Sequence, residues 1–139
     1  MNEDAPLVAV VDDEESIRRA LLRLLRSANY RAEAFDCAAR FLESLSERTP
    51  ECLILDLQMP AMTGFELQQR LLELRVRPPV IVITAYDEPE TRARCLAFGA
   101  ERYFCKPVDG HRLIKSIHEL IESRRRRDHG GVAPPAPLV

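Results

Sequence analysis

Apolar residues along this chain alternate between two patterns, and the alternation repeats five times. Leu7-Val8-Ala9-Val10-Val11 is a continuous apolar run, as a strand buried on both faces requires. Behind it Ile17, Ala20, Leu21, Leu24 and Leu25 recur at helical spacing. Residues 30–35 predict a shorter second strand, and residues 38–45 a second helix. Cys52-Leu53-Ile54-Leu55 is the next apolar run and ends at Asp56. Met59-Pro60-Ala61-Met62 cannot extend it, because proline removes a ladder donor. Thr63 and Glu66 have capping-box spacing and open a third helix carrying Leu67, Leu71 and Leu74. Pro79 precedes Val80-Ile81-Val82-Ile83, the clearest buried strand. Asp87, with Pro89 in the first turn, starts a fourth helix that runs through Phe98 and stops at Gly99. That helix is poor in large apolar residues, so it is expected to be the least firmly anchored. Residues 102–105 give a fifth strand, and Leu113, Ile114, Ile117, Leu120 and Ile121 mark a fifth helix.

Strands that alternate with helices must pair in parallel, with helices on both faces. The expected fold is therefore α/β, a doubly wound five-stranded parallel sheet in the flavodoxin-like order 2-1-3-4-5 with five flanking helices. Residues 6–123 make one domain. Residues 124–139 hold a run of four arginines and then a Gly- and Pro-containing stretch with little to bury, read as a disordered tail from Asp128 onward.

Composition narrows the function classes. The chain has 139 residues, 46% of them hydrophobic, and a net charge of −2. That balance argues against a general nucleic-acid surface, and the four-arginine run reads as a helix end leading into a linker. Cys37, Cys52, Cys95 and Cys105 have no metal-ligand spacing and read as small buried hydrophobes in a reducing compartment. No stretch reaches the roughly 20 apolar residues of a membrane helix, and the acidic start lacks a signal peptide's basic region. A cytoplasmic location is the expectation.

In an open parallel sheet, ligands bind beyond the carboxyl ends of the strands. The residues just after the apolar runs are Asp12 and Asp13, Asp56, Thr84, and Lys106 with Pro107. In the expected strand order these side chains converge. Gathered carboxylates resist ionising together, and a hard divalent cation relieves the conflict. Mg²⁺ suits such a site because it takes few protein oxygens and keeps room for phosphate oxygens. The backbone carbonyl of Gln58 can add a ligand. Asp56, alone at the end of the central strand, is the candidate nucleophile toward phosphorus. Lys106 offers a point charge and Thr84 a hydroxyl to phosphoryl oxygens. Glu14 and Glu15 read only as complements to the first helix's dipole.

These stretches resemble the receiver domains of two-component response regulators. The resemblance rests on Val10-Val11-Asp12-Asp13-Glu14, on Leu55-Asp56-Leu57-Gln58-Met59-Pro60 with Thr63-Gly64, on Ile83-Thr84-Ala85, and on Tyr103-Phe104-Cys105-Lys106-Pro107. It implies that Asp56 accepts a phosphoryl group from the phosphohistidine of a sensor histidine kinase or phosphotransfer protein. It implies Mg²⁺ held by Asp13 directly and by Asp12 partly through water. It implies that Thr84 and Tyr103 are a switch pair that reshapes the face of helix four, strand five and helix five. A cis peptide before Pro107 is also implied. Output then goes to a downstream protein or domain, with phosphorylation-dependent homodimerisation through helix four and strand five. The chain would catalyse only its own phosphorylation and dephosphorylation. Val108 departs from the family pattern, which often has an aromatic there, and Tyr86 and Gln58 stand at positions that influence phosphoryl lifetime.

Four other readings compete. A haloacid-dehalogenase-like phosphohydrolase needs a second Asp two residues after the nucleophile, where this chain has Gln58. A flavodoxin-like cofactor binder needs a Gly-, Ser- or Thr-rich phosphate loop, where this chain has Asp12-Asp13-Glu14-Glu15. A receiver-shaped binding module that works without phosphate, or a receiver cut from a longer DNA-binding regulator, keeps the same fold.

Overall fold

Each of the five apolar runs forms a strand followed by a helix in a computed structural model that describes residues 4–59, 62–74 and 77–129. The elements are β1 (Leu7–Val11), α1 (Glu15–Ser27), β2 (Arg31–Phe35), α2 (Ala38–Ser44), β3 (Cys52–Asp56), α3 (Gly64–Leu72), β4 (Val80–Thr84), α4 (Pro89–Ala97), β5 (Ala100–Cys105) and α5 (Gly110–His129). The strands pair in parallel in the order β2-β1-β3-β4-β5, as the pattern predicts.

β1, β3 and β4 are buried along their whole length, because their side chains feed two cores by turns. Ala9, Val11, Leu53, Leu55 and Val82 face α2, α3 and α4 and pack with Phe41, Leu67, Leu71 and Cys95. Val8, Val10, Ile54, Ile81 and Ile83 face α1 and α5 and pack with Leu21, Leu25, Leu113 and Ile117. The register matters for the site. Val11 lies beside Leu55, Asp56 beside Ile83, and Thr84 beside Cys105. The residues that follow β1, β3, β4 and β5 are thereby brought to one edge.

Several expectations need correction. Leu74 lies beyond α3 and is exposed, since the helix ends at Leu72. α4 takes Glu88, not Asp87, as its N-cap, and no side chain caps it. β5 begins two residues early, at Ala100. Of the cysteines only Cys52 and Cys95 are buried, while Cys37 is half-buried and Cys105 exposed. The largest difference is α5, which continues through the arginine run to His129, so the domain boundary expected at residue 123 falls inside a helix. Arg125 Nε and Nη2 donate to both oxygens of Glu51, at 2.8 and 2.9 Å. Arg124 Nη1 donates to the Arg77 carbonyl at 2.9 Å. These contacts hold the added turns against the domain. The break expected at Pro60 and Ala61, and tail residues 130–139, lie outside the described residues. No described helix is long and apolar enough to cross a membrane.

Candidate functional site

Asp12 leaves β1 with its backbone N–H already donated to the Phe35 carbonyl, at 3.1 Å. The turn that follows is held on both sides. The Asp12 Oδ1 accepts from the Glu14 N–H at 2.9 Å, and the Asp12 carbonyl accepts from Arg18 Nη1 at 2.9 Å. Asp12 is 0% exposed, whereas Asp13, next in the turn, is exposed.

Asp56 ends β3 and is 1% exposed. Its Oδ1 accepts from the Gln58 N–H at 3.2 Å. The loop beyond it is fixed by the start of α3. The Thr63 hydroxyl accepts from the Glu66 N–H at 3.2 Å, and the Glu66 carboxylate accepts from the Thr63 N–H at 3.3 Å, the predicted capping box. Gly64 donates its N–H to the Leu57 carbonyl at 3.2 Å. A Cβ at Gly64 would lie 2.7 Å from Leu57 Cα and 2.8 Å from the Asp56 carbonyl oxygen. Only glycine lets α3 approach the backbone of the Asp56 turn so closely.

Lys106 follows β5, and its N–H donates to the Thr84 carbonyl at 2.7 Å. The peptide between Lys106 and Pro107 is cis. The ammonium Nζ lies 3.1 Å from Asp12 Oδ2, 3.5 Å from Asp56 Oδ1 and 3.6 Å from Glu14 Oε1. Glu14 therefore joins the site, which corrects its reading as a dipole complement alone. Its carboxylate reaches Lys106 because the turn at Asp12 and Asp13 folds back over the sheet edge. Arg18, which holds that turn, also went unforeseen. Its position one helical turn past Glu14 was the only signal.

One carboxylate oxygen each from Asp12, Asp13 and Asp56 lie within 4.8 Å of one another. Burial, and next the Asp12 carboxylate, push the pKa of Asp56 up to about 6, against the Gln58 N–H and Lys106, which pull it down. The largest influence on Lys106 is burial, which lowers its pKa. Asp56, Asp12 and Glu14 together outweigh it and leave the pKa raised. One half-buried lysine thus faces two buried carboxylates, Asp12 and Asp56, and the exposed carboxylate of Glu14. The buried Asp56 Oδ2 has no hydrogen-bond partner among the described residues. Buried carboxylates at this spacing, short of donors, suit a small hard cation with oxygen ligands.

Thr84 is buried, and its hydroxyl accepts from the Tyr86 N–H at 3.1 Å and lies 3.4 Å from the Tyr86 carbonyl. The Tyr103 hydroxyl reaches that same carbonyl at 3.5 Å. Burial and the Asp87 carboxylate push the Tyr103 pKa up to about 12. The guanidinium of Arg92 stands over the Tyr103 ring, 5.5 Å from its centre. Asp12, Asp13, Asp56 and Lys106 are brought together as the strand ends predict. Thr84 and Tyr103 meet at one carbonyl beside them.

A family model for the response regulator receiver domain matches residues 8–118. The chain is 31% identical over 122 residues to the response regulator protein TmoT of Ectopseudomonas mendocina, covering 88% of this chain and 56% of that protein. It is 36% identical over 115 residues to the DNA-binding transcriptional regulator NtrC of Escherichia coli K12, covering 83% of this chain and 24% of that one. The chain thus spans about half the length of TmoT and less of NtrC. Among solved structures, a response regulator receiver protein from Burkholderia phymatum shares 38% identity and a TM-score of 0.74, over 94% of this chain and 98% of that one. A CheY-like receiver domain protein from Methanospirillum hungatei JF-1 gives a TM-score of 0.83 at 25% identity, over 89% and 99%. Every residue of the polar sheet edge, from Asp12 to Lys106, falls inside the matched span, and the chain belongs to the response regulator receiver domain family of two-component signalling.

Proposed function

We propose that this receiver takes a phosphoryl group onto Asp56 from the phosphohistidine of a sensor histidine kinase or phosphotransfer protein, and uses the change to alter a protein interface. The observation that carries the reading is the trio of carboxylates within 4.8 Å, faced by a single half-buried lysine. A carboxylate oxygen of Asp56 forms the new O–P bond as the N–P bond of the donor breaks, and the imidazole leaves with the bonding pair and takes up a proton. Asp12, Asp13, Asp56 and the Gln58 carbonyl would hold Mg²⁺, which when bound neutralises phosphoryl oxygens during transfer. Lys106 supplies a further positive charge to those oxygens, and the Thr84 hydroxyl supplies a donor once it leaves Tyr86.

The chain catalyses only its own phosphorylation and dephosphorylation, in the cytoplasm. The switch pair is Thr84 and Tyr103, and the face that changes is formed by α4, β5 and α5. Homodimerisation through α4 and β5 follows phosphorylation. An unchanged sedimentation mass on adding beryllofluoride and Mg²⁺ would remove the dimer from this scheme.

Intact mass after incubation with Mg²⁺ and acetyl phosphate tests the chemistry. The expected result is a gain of one phosphoryl mass, absent without Mg²⁺ and in Asp56→Asn. If neither this adduct nor beryllofluoride binding is seen in folded protein, the receiver works without phosphate. The relatives' lengths favour a second reading of the output. TmoT and NtrC are longer than this chain, and a DNA-binding domain following α5 in the same polypeptide would receive the signal directly.

A further inference from the structure

A cleft opens at the pole opposite Asp56, between the end of α3, the turn from α4 into β5, and the last turns of α5. Its volume is about 360 Å³, within the range of about 300–1,000 Å³ usual for clefts that hold ligands. Leu72 and Phe98 give it an apolar floor, and Leu72 is 41% exposed although large and aliphatic. Arg77, Arg124 and Arg127 line it, against one carboxylate, Glu101. Two of these arginines are held in place. Arg124 Nη1 donates to the Arg77 carbonyl at 2.9 Å, and Arg77 Nη1 donates to the Leu72 carbonyl at 3.0 Å.

The cleft wall also includes a buried polar side chain. Gln68 lines the same cleft and is 1% exposed. Its amide nitrogen donates to the Cys95 carbonyl at 3.0 Å, but its Oε1 has no partner among the described residues. A buried acceptor left without a donor costs about 1–3 kcal/mol.

We propose that this cleft docks a short, acidic, amphipathic segment of a partner protein. An apolar side chain of the segment covers Leu72 and Phe98, and carboxylates flanking it pair with Arg77, Arg124 and Arg127. A peptide fits better than a nucleic acid. A phosphodiester track gains from an unbroken basic stripe and a row of aromatic platforms, and here the basic residues are interrupted by Glu101 and the floor offers one aromatic ring, Phe98, beside the aliphatic Leu72. The cleft takes the α4–β5 turn and α5 from the same elements as the proposed switch face, but it adds the end of α3, lies at the pole opposite Asp56 and needs no phosphoryl group there.

The test is to pan a random 12-residue phage-displayed peptide library on the full chain at low ionic strength. The enriched sequence is then made synthetically with a fluorescein label for anisotropy. The expected result is enrichment of peptides that combine Leu or Phe with two or more acidic residues. Their binding falls at least tenfold in Leu72→Glu and in the double variant Arg124→Glu/Arg127→Glu, and is unchanged in Arg19→Glu on α1. Circular dichroism and urea midpoints check each variant's fold. If the double variant is destabilised, Leu72→Glu decides, because that site is already exposed. The proposal is overturned if no acidic-apolar class is enriched, or if enriched peptides bind the variants as well as the parent. It is also overturned if a labelled 12-nucleotide DNA binds with this variant dependence while peptides do not.

Discussion

At Asp56, burial and the neighbouring Asp12 carboxylate both favour the protonated form and bring its pKa from 3.8 to about 6. Between about pH 4 and 6 the native protein therefore holds a proton that the unfolded chain has released. Stability falls as pH rises through that window, and above it the cost is complete. In EDTA at pH 7.5, Asp56→Asn should be more stable than the parent, by on the order of 1–3 kcal/mol in urea unfolding. The gain should vanish near pH 4 and shrink at neutral pH on adding millimolar Mg²⁺, which binds only the native carboxylates. An equal or less stable Asn variant at pH 7.5 would contradict the electrostatic picture. Gly64 acts on the same turn sterically. Gly64→Ala must displace the Asp56 and Leu57 backbone or α3, at about 1–3 kcal/mol, and should also weaken beryllofluoride binding. Among individual residues, Asp12, Asp56, Thr84 and Lys106 were legible because each ends an apolar run. Glu14 was not, since an acid next to a helix start reads as a helix charge until the turn folds it toward Lys106.

α4 shows what an element needs beyond its pattern. Its N-cap, Glu88, makes no capping bond, and among its described residues only Cys95 is buried, so the weak anchoring foreseen from its few large apolar residues holds. Its far end is held by contacts no pattern encodes. The N–H of Phe98 goes to Arg94 and that of Gly99 to Leu96, while the Cys95 carbonyl takes the Gln68 amide instead. Arg94 also lies over the Phe65 ring, 4.1 Å from its centre. Gln68→Met removes the tie and the unpaired Oε1 together, so global stability should stay within about 1 kcal/mol of the parent. Amide exchange at Phe98 and Gly99 should nonetheless quicken several-fold, by mass spectrometry. Unchanged exchange would mean the amide does not hold this end. α3 is the contrast, because its capping box was visible as Thr63 and Glu66. Thr63→Ala should cost about 1 kcal/mol, read as a lower urea midpoint with unchanged m-value.

Across the whole molecule, strand order and register came through because the β1, β3 and β4 runs admit only burial on both faces. The extent of α5 did not. Its apolar spacing stops at Ile121, and a run of arginines carries no period. The turns beyond are held by Arg125 on Glu51 and Arg124 on Arg77, contacts across 74 and 47 residues of sequence. Such a half-exposed ion pair contributes little to global stability, under about 1 kcal/mol. Glu51→Gln should leave the urea midpoint nearly unchanged while trypsin cleaves within residues 124–127 markedly faster. Equal cleavage would show that other contacts hold the helix end.

α5 begins four residues after Lys106 and, over 20 residues, reaches the opposite pole. At 1.5 Å per residue it is about 30 Å long. It behaves as a lever arm with its fulcrum at the charged edge of the sheet. A tilt of about 10° at Gly110 carries His129 through about 5 Å, close to one helical turn. Because Leu113, Ile117 and Ile121 are packed in the core beneath it, an adjustment at Lys106 arrives at the far pole as such a step only where that core shifts with the helix.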